Sequence, residues 1–188
     1  MALEKPKYKV VQKNGRFELR DYAPYIASRV EVTADDHRAA ARRGFSPLAG
    51  YIFGENFRRE KIAMTAPVTA QPASEKIAMT APVTVSGDDT YRVEFVIPAE
   101  YSLNTLPVPK DKRVEFVEYP ARRIAAVRFS GAFQQRNFDR HIALLRAWIR
   151  NKGWAEKSAP VIAGYNPPFT PWFLKHNEVL IEVEPEKD

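Results

Sequence analysis

Short stretches of alternating apolar and polar residues recur near the start of the chain and predict β-strands. Two of them, residues 8–12 and 17–22, flank a turn that contains Asn14 and Gly15. An Asn-Gly pair favours a tight hairpin because both residues accept positive φ angles. Ala23-Pro24 then turns the chain into a predicted third strand over residues 25–32.

The residues after the third strand predict a helix. Residues 33–36 read Thr-Ala-Asp-Asp, which has the spacing of a capping box with Asp in place of Glu, so the helix is expected over residues 34–45. Ser46-Pro47 is expected to kink or restart it, because proline lacks the backbone N–H that a helix interior uses. The continuation carries Leu48, Tyr51 and Ile52 on one apolar side.

A perfect internal repeat follows, since residues 60–69 and 75–84 both read Glu-Lys-Ile-Ala-Met-Thr-Ala-Pro-Val-Thr. Alternation broken by a proline in each copy predicts two irregular or edge strands. Residues 91–97 then alternate without interruption and predict a regular strand that ends at Pro98.

The second half of the chain repeats the pattern of the first. Strands are expected at residues 113–119 and 122–129, a helix over 134–152 and further strands at 161–165 and 179–183. The chain is therefore predicted to be a single domain of residues 1–188 with two pseudo-repeats, about 8–97 and 113–184. We expect an α+β fold, with an antiparallel sheet or distorted barrel flanked by two helices.

Composition restricts the chemistry. The chain has 188 residues, of which 45% are hydrophobic and 28% charged, and this profile is typical of one globular domain. The absence of cysteine excludes disulfides, thiolate nucleophiles and the covalent attachment of haem through Cys-x-x-Cys-His. Three scattered histidines predict no metal site.

The pattern of charge and hydropathy also restricts partners and location. The net charge of +6 is spread along the chain without a basic block or an aromatic nucleic-acid motif, so we expect anionic ligands and no nucleic acid. No apolar run is long enough for an integral membrane segment. A soluble, cytoplasmic protein is expected, with an export signal already removed as the alternative. The sequence shows no catalytic motif.

The loop over residues 165–176 is the most unusual segment. It places Phe169, Trp172 and Phe173 between prolines and ends at His176. Such a loop either packs on its own core or forms one wall of a pocket for a flat apolar ligand. His176 is the best placed histidine for an axial bond to haem iron, because His37 and His141 are expected to lie outside the apolar faces of their helices. No histidine is predicted to be an obligatory iron ligand.

The paired Lys-Ile-Ala-Met-Thr-Ala-Pro-Val segments resemble the SOUL haem-binding protein family. Residues 8–22, 48–54, 122–131 and 165–174 are similar to this family too, so the resemblance spans nearly the whole chain. It implies a distorted eight-stranded antiparallel barrel with two long helices, related to GyrI-like small-molecule-binding domains. It also implies that haem or a related tetrapyrrole binds by apolar contact between the first helix and the loop before the last strand.

The leading hypothesis is therefore a non-catalytic carrier or buffer that binds haem or porphyrin without covalent attachment. Arg42 and Arg43 are predicted to face the propionates, and metal-free protoporphyrin should bind about as well as haem. The predicted site consists of the following residues: Arg42, Arg43, Phe45, Leu48, Tyr51, Ile52, Phe169, Trp172, Phe173 and His176.

Two alternatives belong to other functional classes. The first is a GyrI-like barrel that binds or hydrolyses another hydrophobic anionic small molecule. It predicts a cleft between the two halves, lined by a buried carboxylate with a raised pKa and an aromatic partner. The second is a protein-interaction module that uses the apolar loop, with an unknown protein partner.

Overall fold

The computed structural model describes residues 4–58, 74–87, 89–166 and 170–185. In chain order its elements are β1 (Tyr8–Asn14), β2 (Phe17–Tyr22), β3 (Tyr25–Thr33), α1 (His37–Ile52), β4 (Asn56–Phe57), β5 (Val83–Ser86), β6 (Thr90–Val96), β7 (Val108–Pro109), β8 (Glu115–Tyr119), β9 (Arg122–Phe129), α2 (Gln135–Asn151), β10 (Trp154–Glu156), β11 (Val161–Gly164), a single 3₁₀ turn (Trp172–Leu174) and β12 (Asn177–Pro185).

Ten of these strands form one antiparallel sheet, in the order β1-β2-β9-β12-β11-β5-β6-β3-β8, with β10 paired to β12. The short strands β4 and β7 pair separately. The α+β class with two helices is confirmed. The sheet has ten strands rather than eight, and within the described part of the chain its end strands β1 and β8 do not pair with each other.

The two halves of the chain contribute to the sheet symmetrically and are interleaved. Strands β5, β6 and β3 come from the first half, and β11, β12 and β9 occupy the matching places in the second. Strand β2 belongs to the first half but pairs with β9, while β8 belongs to the second half but pairs with β3. Each half therefore contributes one strand that pairs with an outer strand of the other half.

Helix α1 begins three residues later than predicted, because Asp36 and not Thr33 is its N-cap. The Asp36 side chain accepts a hydrogen bond from the backbone N–H of Ala39 at 2.7 Å. Pro47 lies inside a single continuous helix that ends at Ile52. The second half of α1 is anchored by Leu48, Tyr51 and Ile52, which are all buried.

Helix α2 packs through an apolar face that includes Phe138, Leu145 and Ile149, as the spacing predicts. Its entry is fixed by Phe133, the residue before the N-cap Gln134. The Phe133 ring contacts that of Phe138 edge-on, with centroids 4.7 Å apart. This contact is a hydrophobic staple, which sets the direction in which the chain enters the helix.

The apolar core has one cluster beneath each helix and a smaller one on the other face of the sheet. Val85, Val93 and Leu48 belong to the cluster under α1, whereas Ile162 and Val179 belong to the cluster under α2. The third cluster includes Ala126, Ala163 and Leu180. Alternate residues of the central strands thus face opposite sides, as the period of a strand requires.

The repeated segments differ from the prediction. The first copy, residues 60–69, lies outside the described residues. In the second copy only the end enters β5, while Thr80 forms an isolated bridge with Glu4 and most of the preceding residues are irregular. Within the described ranges, no helix has both the length and the apolar character needed to span a membrane.

Candidate functional site

The predicted site residues on α1 divide into buried and exposed groups. Leu48, Tyr51 and Ile52 are buried in the core under the helix, and the Tyr51 hydroxyl donates to the carbonyl of Pro107 at 3.0 Å. Phe45 is 38% exposed, and Arg42 and Arg43 are exposed as well. Only the second group is accessible to a ligand in this structure.

The loop before β12 presents a compact apolar surface, formed by Trp172, Phe173 and Leu174 and called the apolar turn below. Their exposed fractions are 64%, 59% and 63%. The backbone is held in place, because the N–H of Gly131 donates to the carbonyl of Trp172 at 3.0 Å. Phe169 lies outside the described residues. The backbone of the apolar turn is therefore held in place, while its three side chains are exposed to water.

Between α1 and the segment that holds the apolar turn lies a row of apolar residues, called the apolar row. Phe45 contacts Phe95 of β6 with ring centroids 5.3 Å apart. Val83 of β5 is the register partner of both Phe95 and Gly164 of β11. A Cβ added to Gly164 would lie 3.4 Å from the Phe133 ring. The row therefore crosses the junction of the two halves from Phe45 to Phe133.

The apolar row thus begins at Phe45 on α1 and ends at Phe133, and the apolar turn is bonded through its backbone to Gly131, two residues before Phe133. Phe133 and Val83 were not among the predicted site residues. Phe133 could have been recognised from the sequence, because it stands just before the N-cap of α2 and five residues before the apolar Phe138, the spacing of a hydrophobic staple. Val83 lies in the repeat, where the strand pattern is irregular.

His176 is engaged by neighbouring side chains. Its Nε2 atom lies 2.9 Å from Oε1 of Glu178, and its ring stacks on Tyr165 with centroids 4.2 Å apart. Glu178 also accepts two hydrogen bonds from Arg20, at 2.7 and 2.8 Å, and one from the Tyr165 hydroxyl at 2.7 Å. An iron bond through Nε2 would have to replace the contact with Glu178.

Glu178 is a buried carboxylate with an aromatic partner, the kind of group that the small-molecule alternative requires. Burial by itself raises its pKa, but hydrogen bonds from Arg20, His176 and Tyr165 together with the Arg20 charge bring the pKa to about 2. The alternative predicted a raised pKa, and for Glu178 that prediction is wrong. The carboxylate is held charged and cannot serve as a general acid near neutral pH.

The other two histidines are packed among apolar side chains, contrary to prediction. His37 is buried and lies edge-on to Tyr91 and Phe138, while its Nδ1 atom is 2.9 Å from the side-chain oxygen of Gln135. His141 is buried and stacks on Phe129 with centroids 4.0 Å apart. Burial lowers the pKa of His141 and favours its neutral form.

A cavity of about 570 Å³ lies between the two helices, at the other end of β5 and β11 from the apolar row. Polar groups from His37, Gln135, Asp139, Arg146 and Arg150 line it. None of the nine described members of the predicted site is among its lining residues. Its polar lining differs from the apolar pocket expected between α1 and the loop before β12.

Solved structures with the same fold include proteins of diverse description. The C-terminal domain of EcmrR matches with a TM-score of 0.63 at 12% identity, covering 95% of this chain and 98% of that one. A hydrolase from Listeria innocua matches with a TM-score of 0.55 at 10% identity, covering 93% and 94%. At such low identities these likenesses show the fold alone.

Sequence comparison is more specific. Heme-binding protein 2 of Homo sapiens is 29% identical over 198 residues, which cover 97% of this chain and 91% of that protein. Heme-binding protein 1 of Xenopus laevis is 24% identical and covers 86% of this chain and 84% of its own length. The family described as "SOUL heme-binding protein" matches residues 3–182. The chain therefore belongs to the SOUL heme-binding protein family.

Proposed function

We propose that this protein binds haem or a related tetrapyrrole without a covalent bond and acts as a carrier or buffer. Membership of the SOUL family suggests haem as a ligand. The observation that carries the proposal is the exposed apolar surface of Phe45 on α1 and of the apolar turn, which is bonded to Gly131 near the Phe133 end of the apolar row, while Phe95 in the middle of the row is buried. A flat macrocycle has two apolar faces, and each face needs an apolar protein surface to cover it.

Apolar contact can supply much of the binding free energy. If a bound porphyrin removes roughly 300 Å² of apolar surface from water, the gain is about 7.5 kcal/mol at roughly 25 cal/mol per Å². The cost of ordering the ligand reduces this gain, and a micromolar dissociation constant requires about 8 kcal/mol, so charge pairing at the propionates has to supply the rest. Large exposed side chains such as Trp172 and Phe173 contribute most, because they lose the most water-accessible surface on binding.

The charge on α1 suits the propionates. Arg42 is three residues before Phe45, so the two side chains lie on neighbouring positions of the same helix surface. Arg43 is also exposed and donates to the Thr33 carbonyl at 2.5 Å. An arginine fork pairs well with a carboxylate. We expect Arg42 to contact a propionate while the ring of Phe45 contacts the macrocycle.

Binding in this proposal does not require iron. His176, His37 and His141 each have one ring nitrogen within hydrogen-bond distance of a neighbouring group and a ring in contact with an aromatic side chain. The core residues Leu48, Tyr51 and Ile52 act in this proposal by supporting α1 from below. Phe169 is kept as a proposed member of the surface on the strength of its sequence position.

The test is a titration of the purified protein with haem and with metal-free protoporphyrin, followed by porphyrin absorbance and tryptophan fluorescence. Phe45→Ser and Trp172→Ser are each expected to weaken protoporphyrin binding at least fivefold. Phe57→Ser is the matched control, because Phe57 is 40% exposed and lies in β4, outside the apolar row. It should bind as the unaltered protein does.

Two outcomes would contradict the proposal. Equal protoporphyrin binding by Phe45→Ser, Trp172→Ser and the control would show that the apolar row and turn are not the binding surface. Binding of haem with no binding of protoporphyrin would show that iron coordination dominates. In that case His176→Ala and His37→Ala would identify the ligand by the loss of its absorbance signature.

A further inference from the structure

A second cavity, of about 520 Å³, lies among segments that neither the apolar row nor the apolar turn includes. It is an open cleft bordered by the residues before β1, the turn between β2 and β3, the chain after β6 and the end of β8. We call it the tyrosine cavity, because Tyr25, Tyr119 and Tyr101 line it. Its volume falls within the range of small-molecule sites.

The tyrosine rings are held in fixed orientations. The Tyr119 hydroxyl donates to Oε1 of Glu94 at 2.8 Å, and the Tyr25 hydroxyl accepts a hydrogen bond from Arg122. The two ring centroids are 5.0 Å apart with an angle of 35° between the planes. The Arg122 guanidinium lies 4.0 Å from the centroid of the Tyr119 ring. A ligand that contacts these rings would not need to order them first.

Much of the remaining wall is stiff and apolar. Four prolines, Pro6, Pro24, Pro98 and Pro120, line the cavity, each with a restricted φ angle. Ile26 and other aliphatic side chains add apolar surface, and charged residues and Ser102 make up the rest of the lining. The hydroxyl of Tyr101 is bound to Glu75 at 2.9 Å, so this ring too is held from outside the cavity.

The charges around the tyrosine cavity balance. Lys5 and Lys7 are matched by Glu4 and Glu118, and all four residues are exposed. Glu4 is also used structurally, since its carboxylate accepts a hydrogen bond from the N–H of Ala99 at 2.9 Å. The lining therefore offers aromatic and aliphatic contact without a net charge, which favours an uncharged ligand over an anion such as a propionate-bearing macrocycle.

We propose that the tyrosine cavity is a binding site for a small, flat, uncharged aromatic molecule, separate from the tetrapyrrole surface. The ligand lies against Tyr25 and Tyr119, in the offset or edge-on arrangement that aromatic rings prefer. This proposal does not depend on haem binding, because the cavity shares none of its lining residues with the apolar row or turn.

The test uses N-phenyl-1-naphthylamine, an uncharged aromatic dye whose fluorescence rises in apolar sites. The unaltered protein should give a saturable signal, and Ala99→Trp should weaken binding at least tenfold by filling the cavity. Ala99 is exposed, so the substitution leaves the core intact. Ala159→Trp is the matched control, because Ala159 is an exposed alanine in the lining of the cavity between the helices. It should bind within twofold of the unaltered protein.

The dye-binding site can also be mapped by NMR on the unaltered protein, which does not depend on whether a variant folds. Dye-induced changes in amide NMR shifts are expected at Ala23 and Ala99 and not at Trp172 or His37. Trp172→Ser should retain dye binding even where it loses porphyrin binding. The proposal is overturned by the absence of a saturable signal, by unchanged binding in Ala99→Trp, or by shifts that cluster at the apolar turn or between the helices.

Discussion

The buried pair of Arg20 and Glu178 allows a prediction about acid stability. Both side chains are almost wholly buried, and Arg20 donates two hydrogen bonds to the carboxylate. Because the pKa of Glu178 is lowered from 4.5 to about 2, its charged form is stabilised in the folded state by about 3 kcal/mol. This contribution is complete above pH 4.5 and is lost as the pH falls toward 2.

Glu178→Gln is expected to destabilise the protein by about 3 kcal/mol at pH 7, because it leaves the buried Arg20 charge without its main partner. The same variant should lose the part of the acid dependence that Glu178 supplies. Urea unfolding followed by circular dichroism, at a series of pH values from 7 to 2.5, measures both effects. Glu18, Asp21 and Asp111 also have lowered pKa values and remain in the variant. The contributions of Asp21 and Asp111 cancel in the difference between the two curves, which reports Glu178 together with any change at Glu18, the other carboxylate bound to Arg20.

The gap between the unfolding free energies of the two proteins should be largest at neutral pH and shrink as the pH falls below 4.5. A gap that stays constant down to pH 2.5 would refute the lowered pKa. A loss of less than about 1 kcal/mol at pH 7 would refute the role of the carboxylate as the necessary partner of Arg20. The double variant Arg20→Met with Glu178→Leu should be more stable than Glu178→Gln, because it removes both charges together.

Two further predictions concern α1. Gly44→Ala should lower the free energy of unfolding, measured in urea, by about 1–3 kcal/mol despite the higher helix propensity of alanine. The reason is that the new Cβ would lie 2.5 Å from the Cβ of Val93, and unchanged stability would contradict this close approach. Asp36→Ala should lower the free energy of unfolding by about 1 kcal/mol through loss of the N-cap bond to Ala39. The neighbouring substitution Asp35→Ala should change it little, and equal effects of the two substitutions would argue against the cap.

Local patterns predicted much of the fold. The Asn14-Gly15 turn is present, with Gly15 at a φ of +57°, and the strands on both sides pair as a hairpin. The strand over residues 122–129 has the predicted bounds, and α2 matches to within one residue. These elements have clear periodicity and local turn or end signals, so they could be recognised without knowledge of the tertiary structure.

Features that depend on distant contacts were predicted less well. The start of α1 depends on whether Thr33 or Asp36 caps it, and Thr33 is instead taken into β3. The burial of His37 depends on Tyr91 of β6, which is distant in sequence, and that of His141 depends on how α2 packs against Phe129 of β9. Helical position alone does not reveal such partners.

The predicted site residues likewise include some that the structure leaves exposed and some that it buries. The loop before β12 was selected because aromatic residues are dense between its prolines, and the structure shows that Trp172, Phe173 and Phe45 are exposed. Leu48, Tyr51 and Ile52 have an equally apolar pattern but are buried. A sequence does not distinguish an apolar residue that faces the core from one that faces a ligand.

The exchange of β2 and β8 between the halves couples the stability of one half to that of the other. A cut between residues 98 and 112 would separate β2 from β9 and β8 from β3, and would leave the three central strands of each fragment with two unpaired edges. Neither fragment is a self-sufficient unit. The molecule is therefore expected to unfold as a whole rather than one half at a time.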